Sequence, residues 1–346
     1  MDQGSTWRGP LREPRLTRRW APLLALALLV TPFGGVAQRP SFGPLTWEEG
    51  SPLQRISSTP AFERADITAR GAVSAEIWLG YSNIFEQDSS ATHVLFLDTE
   101  RLLTAATVRW GASERTEVGG RVTLETTGGG ILDSFVEGYH ATLHVGQANR
   151  DRFPRDGYAQ QLTDGGPAMY LDLRRRTLGI ADVQLFAKWS AATSGDGRST
   201  LSLRANARLP RKSNRIAAER ADAALVALGR LGAGSWYLHG MLGAGVVRAS
   251  PELEPILRDA HAFLGLAAER SLGASLAAIV QYQIASPLLR GFGHRELDWP
   301  ASNLILGLAG RWGEEWSWDA SFQEDMPPDT PAIDFTVGLR ISRTWR

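Results

Sequence analysis

From about residue 70 onward the chain alternates apolar and polar side chains with a period of two. The last segment is the clearest: Phe335, Val337, Leu339, Ile341 and Trp345 share one face, and Thr336, Gly338, Arg340, Ser342 and Thr344 the other. Successive side chains of a strand point to opposite faces, so this spacing predicts a strand with one apolar side. The pattern recurs upstream. Val73, Ala75, Ile77, Leu79 and Tyr81 oppose Ser74, Glu76, Trp78, Gly80 and Ser82, and Leu201, Leu203, Ala205, Ala207 and Leu209 oppose Ser202, Arg204, Asn206 and Arg208. Charges inside such strands fit a soluble core poorly, because an unpaired buried charge is costly. They fit a barrel whose apolar side meets lipid and whose polar side lines a lumen.

Twelve candidate strands follow, at 70–83, 92–110, 115–124, 180–190, 200–209, 221–230, 235–248, 258–269, 274–285, 301–312, 316–323 and 332–345. A tilted strand crosses a bilayer in about 9–11 residues, so most are long enough. The links alternate in length. Those at 111–114, 231–234, 270–273 and 313–315 are short, 191–199 is intermediate, and 125–179, 210–220, 249–257, 286–300 and 324–331 are longer. Outer-membrane barrels have short periplasmic turns and longer outer loops, and an even strand count returns the C-terminus to the periplasm. Aromatics cluster near the expected strand ends, at Tyr81, Phe85, Trp110, Trp189, Trp236, Tyr237, Trp312, Trp316, Trp318 and Trp345, where interface girdles are expected. The predicted fold class is all-β, a transmembrane antiparallel barrel of about twelve strands.

The start of the chain reads as an address. Arg8, Arg12, Arg15, Arg18 and Arg19 precede an apolar stretch from Trp20 to Val30, then Pro32 and the small residues Gly35, Val36 and Ala37. This is the layout of a secretory signal peptide at 1–37, with cleavage after Ala37. Its apolar core is shorter than the roughly 20 residues of a spanning helix, and no later run reaches that length. The mature chain then opens with residues 38–69, rich in Pro and Ser and without periodicity. This segment is either a periplasmic extension or a plug threaded into the barrel.

Composition narrows the function. The 346 residues carry 37 basic and 37 acidic side chains, a balance that argues against a nucleic-acid partner. There is no cysteine, which removes disulfides, thiolate metal sites and a cysteine nucleophile. No cofactor and no metal is expected. Glu76, Arg204, Arg208 and Arg340 are the lumen-lining candidates, since rings of charge set ion preference in pores.

The link at 125–179 is too long for a simple hairpin, and such loops are often functional. Ile131, Leu132, Phe135, Val136 and Tyr139 have helical spacing, with Asp133, Glu137 and His140 opposite. A short amphipathic helix there would either constrict the pore or lie on the outer leaflet. The three polar residues are candidates for constriction or binding, set against a solvated face with Glu137 and His140 paired locally. A lipid hydrolase would need a serine and a histidine on neighbouring strands near the interface; His93, His239, His261 and His294 are present, with His93 and His239 singled out for test.

Several segments resemble a family of uncharacterised outer-membrane proteins known as a domain of unknown function. They are Ser51-Pro52-Leu53-Gln54; Tyr81-Ser82-Asn83-Ile84-Phe85; the run from Gly128 to His140 followed by Asn149-Arg150-Asp151-Arg152-Phe153-Pro154; and Phe322-Gln323-Glu324-Asp325. The resemblance implies a barrel of this size, and no reaction, substrate or partner. The last strand, ending in Trp345 with Arg346 beyond it, resembles the signal read by the barrel assembly machinery. The expected partners are therefore the outer-membrane bilayer, that machinery and a small-molecule solute. The expected function is a passive or gated pore for small solutes or hydrophobic molecules. A lipid hydrolase and a structural or surface-binding barrel are the alternatives.

Overall fold

The structure is a computed structural model. It describes residues 40–57, 59–143, 150–163, 169–172, 178–210, 221–248, 256–293, 295–326, 333 and 335–346. The expected signal peptide and cleavage site, His144, Asn149 and His294 lie outside the described residues.

Twelve antiparallel strands close a barrel. They are β1 (Val73–Ser89), β2 (Val94–Gly111), β3 (Thr116–Gly128), β6 (Leu178–Thr193), β7 (Thr200–Arg208), β8 (Asp222–Ala233), β9 (Trp236–Val246), β10 (Ala260–Ser271), β11 (Leu276–Ala285), β12 (Ala301–Trp312), β13 (Trp316–Asp325) and β14 (Phe335–Trp345). Each pairs with its neighbours in sequence order, and β14 closes on β1 from Val73↔Trp345 to Asn83↔Phe335. Closure leaves no unpaired barrel edge, as a hydrocarbon environment demands. Two further short strands, β4 (Ala159–Thr163) and β5 (Met169–Asp172), extend the wall where β3 ends, with β4 pairing against the far end of β2. The helices are α1 (Asp133–Leu143) and α2 (Arg295–Asp298).

Burial is inverted relative to a soluble barrel. Leu225, Leu238 and Leu242 on the outward face are 56–70% exposed, while Ser202, Arg204, Asn206 and Arg208 on the inward face are buried. The alternation thus assigns sides, apolar outward and polar inward, because only the inward side is covered by protein. Exposed Trp110, Trp189, Trp312, Trp316 and Trp345 all stand near the short-turn end. Two expected girdle members differ. Tyr237 is buried inside, its ring 5.1 Å from the Arg198 guanidinium, and Phe85 is buried beneath Phe153 of the long loop.

β1 runs on to Ser89, past the end at 83 that its alternation suggests, while β2 keeps close to the expected 92–110; only residues 90–93 join them. Their far ends have both faces covered. Ile84, Leu95 and Leu97 join an apolar cluster with Leu53, Ile56 and Phe292 that fills the long-loop end of the barrel. The opposite face carries Phe85, Phe96 and Phe153 in mutual edge and tilted contact.

Candidate functional site

Residues 40–69 run through the barrel interior as a loop with two legs. The segment pairs with no barrel strand, so its backbone polar groups need other partners. Wall side chains supply them. On the first leg Glu269 accepts from Ser41 Oγ (2.8 Å), Phe42 N (2.7 Å) and Gly43 N (3.0 Å), and Gln281 bonds both the N–H and the carbonyl of Leu45. At the apex Arg101 donates to the Gly50 carbonyl, and Arg208 donates to the carbonyls of Arg55 (3.0 Å) and Ile56 (2.6 Å). On the return leg Ser202 donates to the Ala65 carbonyl at 2.6 Å, Lys188 to the Arg64 carbonyl at 3.2 Å, and Thr68 donates to Glu117 from both its N–H and its hydroxyl. Glu269 and Glu117 both lie beside short turns, so both legs start and finish at that end while the apex reaches the long-loop end.

Ion pairs reinforce the seat. Glu63 on the return leg meets Arg204 at 2.8 Å, Arg109 at 3.2 Å and Lys188 at 3.3 Å. Glu48 on the first leg meets Arg121 at 2.6 Å, Arg55 meets Asp182 at 2.6 Å, and Asp66 pairs with Arg230. On the wall itself Glu76 lies 3.3 Å from Arg109 and 3.5 Å from Arg340, and Asp319 lies 2.5 Å from Arg340. Burial alone would push the Glu63 carboxyl up, but Arg204, Lys188 and Arg109 hold it well below the usual carboxylate range. Between the return leg and the wall is a cavity of about 490 Å³, lined by Glu63, Arg109, Glu117, Lys188, Arg204 and Arg340 among others. It lies at the short-turn end, whereas the apolar cluster around Leu53 and Ile56 fills the other end.

The four lumen-lining candidates all face inward. Glu76, Arg204 and Arg340 belong to the network around the cavity, Arg204 through Glu63, while Arg208 stands apart, paired with Asp222 at 2.5 Å. Arg109, Arg121, Lys188, Glu117 and the segment carboxylates Glu48 and Glu63 were not singled out by sequence. A signal for two of them existed: Arg109 and Lys188 each precede a tryptophan, and an outward Trp110 or Trp189 forces its neighbour inward.

The loop candidates lie elsewhere. Helix α1 sits on the outer surface, not in the lumen. Its Asp133 accepts from outward-facing Asn83 at 2.9 Å, and Phe135 and Tyr139 pack on outward-facing Phe335 and Phe322. The expected constriction by Asp133, Glu137 and His140 is therefore corrected. These residues also do not form one solvated face. Asp133 is buried and binds Arg150 at 2.8 Å, Glu137 pairs with Arg155 at 2.6 Å, and His140 lies 3.8 Å from Glu324. Helical periodicity shows that a face is apolar, not which surface it covers.

His261 lies 3.4 Å from the Ser57 hydroxyl of the inner segment, and the two histidines singled out by sequence stand at opposite ends of the barrel. His239 is inside the barrel, 2.8 Å from Glu269, and that carboxylate rather than the histidine contacts Ser41. His93 is at the opposite end, 2.7 Å from Thr92, with its ring tilted against Phe292 at 4.2 Å between centroids.

No curated protein matches the chain in sequence. Among solved structures, an outer membrane channel from Pseudomonas putida F1 superposes over 81% of this chain and 98% of its own, at 12% identity and a TM-score of 0.51. It shares the barrel fold. The NanC porin superposes over 78% of this chain and 98% of its own (7% identity, TM-score 0.43). The CymD monoaromatic hydrocarbon channel covers 80% and 88% (10%, 0.37). The family model described as "Protein of unknown function (DUF3187)" matches residues 21–345, nearly the whole length, and the chain belongs to that family.

Proposed function

We propose that this protein is a gated pore for small solutes in the outer membrane of a Gram-negative cell, and that residues 40–69 are its gate. The leader at 1–37 exports it, and the barrel assembly machinery recognises β14. The observation that carries the reading is how the inner segment is held. It hangs from wall side chains by hydrogen bonds and ion pairs, with no strand pairing to the barrel, so it can leave without opening the wall. Each such contact is exchanged for water in a hydrated lumen; because most involve a charged partner, the net loss per hydrogen bond is about 1.5–3 kcal/mol. In this closed arrangement the apolar cluster seals the long-loop end and the cavity faces the short-turn end.

A crosslink tests the gate. A Cβ built on Gly50 would lie 3.5 Å from Ser82 Cβ, within the range of a disulfide, provided the flexible end of Ile333 yields. The chain has no cysteine of its own to interfere. Gly50→Cys/Ser82→Cys protein in a planar bilayer should be silent when oxidised and show discrete conductance steps after reduction. Each single-cysteine variant should conduct in both conditions. Conductance indifferent to the crosslink would remove the gate, and silence of every form would leave a structural barrel.

A further inference from the structure

The cations around Glu63 say what kind of solute the pore takes. Arg109, Lys188 and Arg204 come from β2, β6 and β7, strands within three places of one another in the wall, and converge on one carboxylate of the inner segment. Among the described residues, the barrel strands line the cavity with five cations, Arg109, Arg121, Lys188, Arg204 and Arg340, against two carboxylates, Glu76 and Glu117, and the short-turn rim adds Glu314, Glu315 and Arg346. Glu63 of the inner segment lines the same cavity among these cations, and Glu48 pairs with Arg121. We infer that the solute is a small organic anion bearing carboxylate groups, and that Glu63 occupies its site in the closed protein.

Three features of the site support this. Withdrawing the segment would take from Arg204 the one carboxylate it meets among the described residues, while Arg109 and Lys188 keep Glu76 and Glu117; stranding one member of a buried pair is far more costly than losing both. An anion that replaces Glu63 removes that cost, so anion binding and gate opening favour each other. A cation arriving at the same place meets like charge. The site is also shaped in advance: the Arg204 guanidinium lies 4.0 Å from the centre of the Phe186 ring, which fixes its plane. A guanidinium held in one orientation matches the two oxygens of a carboxylate. Finally, the cavity of about 490 Å³ adjoins these groups and is within the usual size of small-molecule sites.

The inference rests on the gated-pore reading, so the test separates the two. The mature full-length chain and its Glu63→Gln variant are placed in planar bilayers under a potassium chloride gradient, and succinate then replaces chloride at matched ionic strength. Because Glu63 is outside the barrel strands, folding of the variant can be checked by heat-modifiable migration in a gel. Glu63→Gln should open several-fold more often than the parent. Its reversal potential should show anion preference, and succinate should raise the open probability of the parent several-fold. Arg204→Gln should lose the succinate response. Conduction that prefers cations, or ignores succinate, overturns the anion site and leaves the pore standing. Silence of parent, Glu63→Gln and the reduced crosslink variant overturns the pore and the anion site together.

Discussion

Glu269 on β10 and His239 on β9 meet at 2.8 Å inside the barrel, and the same carboxylate carries the first leg of the inner segment through Ser41, Phe42 and Gly43. Four donors on one fully buried acceptor make Glu269 the anchor of that leg. Hydrogen bonds to charged groups contribute about 1.5–3 kcal/mol each, so losing even one shifts a docking equilibrium about tenfold or more. Glu269→Ala should therefore loosen residues 40–57 while the barrel stays folded. Limited trypsin digestion of folded protein in vesicles reads this at Arg55 and Arg64, which the docked segment partly shields. Cleavage at least tenfold faster is expected. An unchanged rate would mean the first leg is held elsewhere.

Acid should open the gate. Glu63 is held low by Arg204, Lys188 and Arg109 against the upward pull of its burial, and Asp66 is likewise held low by Arg64 and Arg230. A carboxylate whose docked value is depressed favours docking fully above its ordinary range, and that contribution fades as pH falls. Glu49 has the opposite sign: burial outweighs the donors from Ser51 and Asn303 and raises its carboxyl, so its protonation favours docking. Glu76 and Glu117 share the same cations from the wall and moderate the change. Glu49 titrates above the ordinary carboxylate range and the two depressed groups below it, so release by acid begins where Glu63 and Asp66 start to take up protons. Open probability should rise as pH is taken from 4.5 downward, with most of the rise lost in Glu63→Gln. A rise of equal size in that variant would place the titration elsewhere.

The barrel was legible because its alternation is reinforced by charge. In Thr200–Arg208 every second residue is polar or charged, and only a hydrated interior tolerates Arg204 and Arg208 there. Legibility fails where both faces of a strand are covered by protein. Ile84 and Phe85 are consecutive apolar residues, one packed beneath the segment apex and the other beneath Phe153, so β1 has no alternation at the point where it runs on to Ser89. The inner segment has no period at all, because its partners are wall side chains distant in sequence: Glu63 and Arg204 are far apart along the chain yet 2.8 Å apart in space. The same remoteness hid Lys188 and Arg109 as part of the site.

Helix α1 should be dispensable for conductance. It covers the outward faces of β1, β13 and β14, where Asp133 binds Asn83 and Arg150 and accepts from the Asp156 N–H at 2.7 Å. A deletion of residues 131–140 should leave unit conductance unchanged, whereas a larger conductance would put the helix in the permeation path after all. Asp133→Ala removes the acceptor shared by Asn83, Arg150 and the Asp156 N–H and should detach the loop. Proteolysis between residues 129 and 163 should then quicken, with the rest of the barrel resistant.

Arg208 and Asp222 should set how firmly the apex sits. They pair at 2.5 Å, with side chains 5% and 0% exposed, and Arg208 also holds the Arg55 and Ile56 carbonyls. Removing one member of a buried pair strands the other charge, at a cost of about 3–5 kcal/mol. Arg208→Ala should lower the urea stability of the vesicle-embedded protein by that order. Arg208→Ala/Asp222→Ala should recover most of the loss, because no uncompensated carboxylate remains. The double variant should still open more readily than the parent, since neither carbonyl of the apex regains a donor. Recovery of stability together with parental gating would show that Arg208 serves the wall alone, whereas stability without recovery would place the cost in the segment contacts.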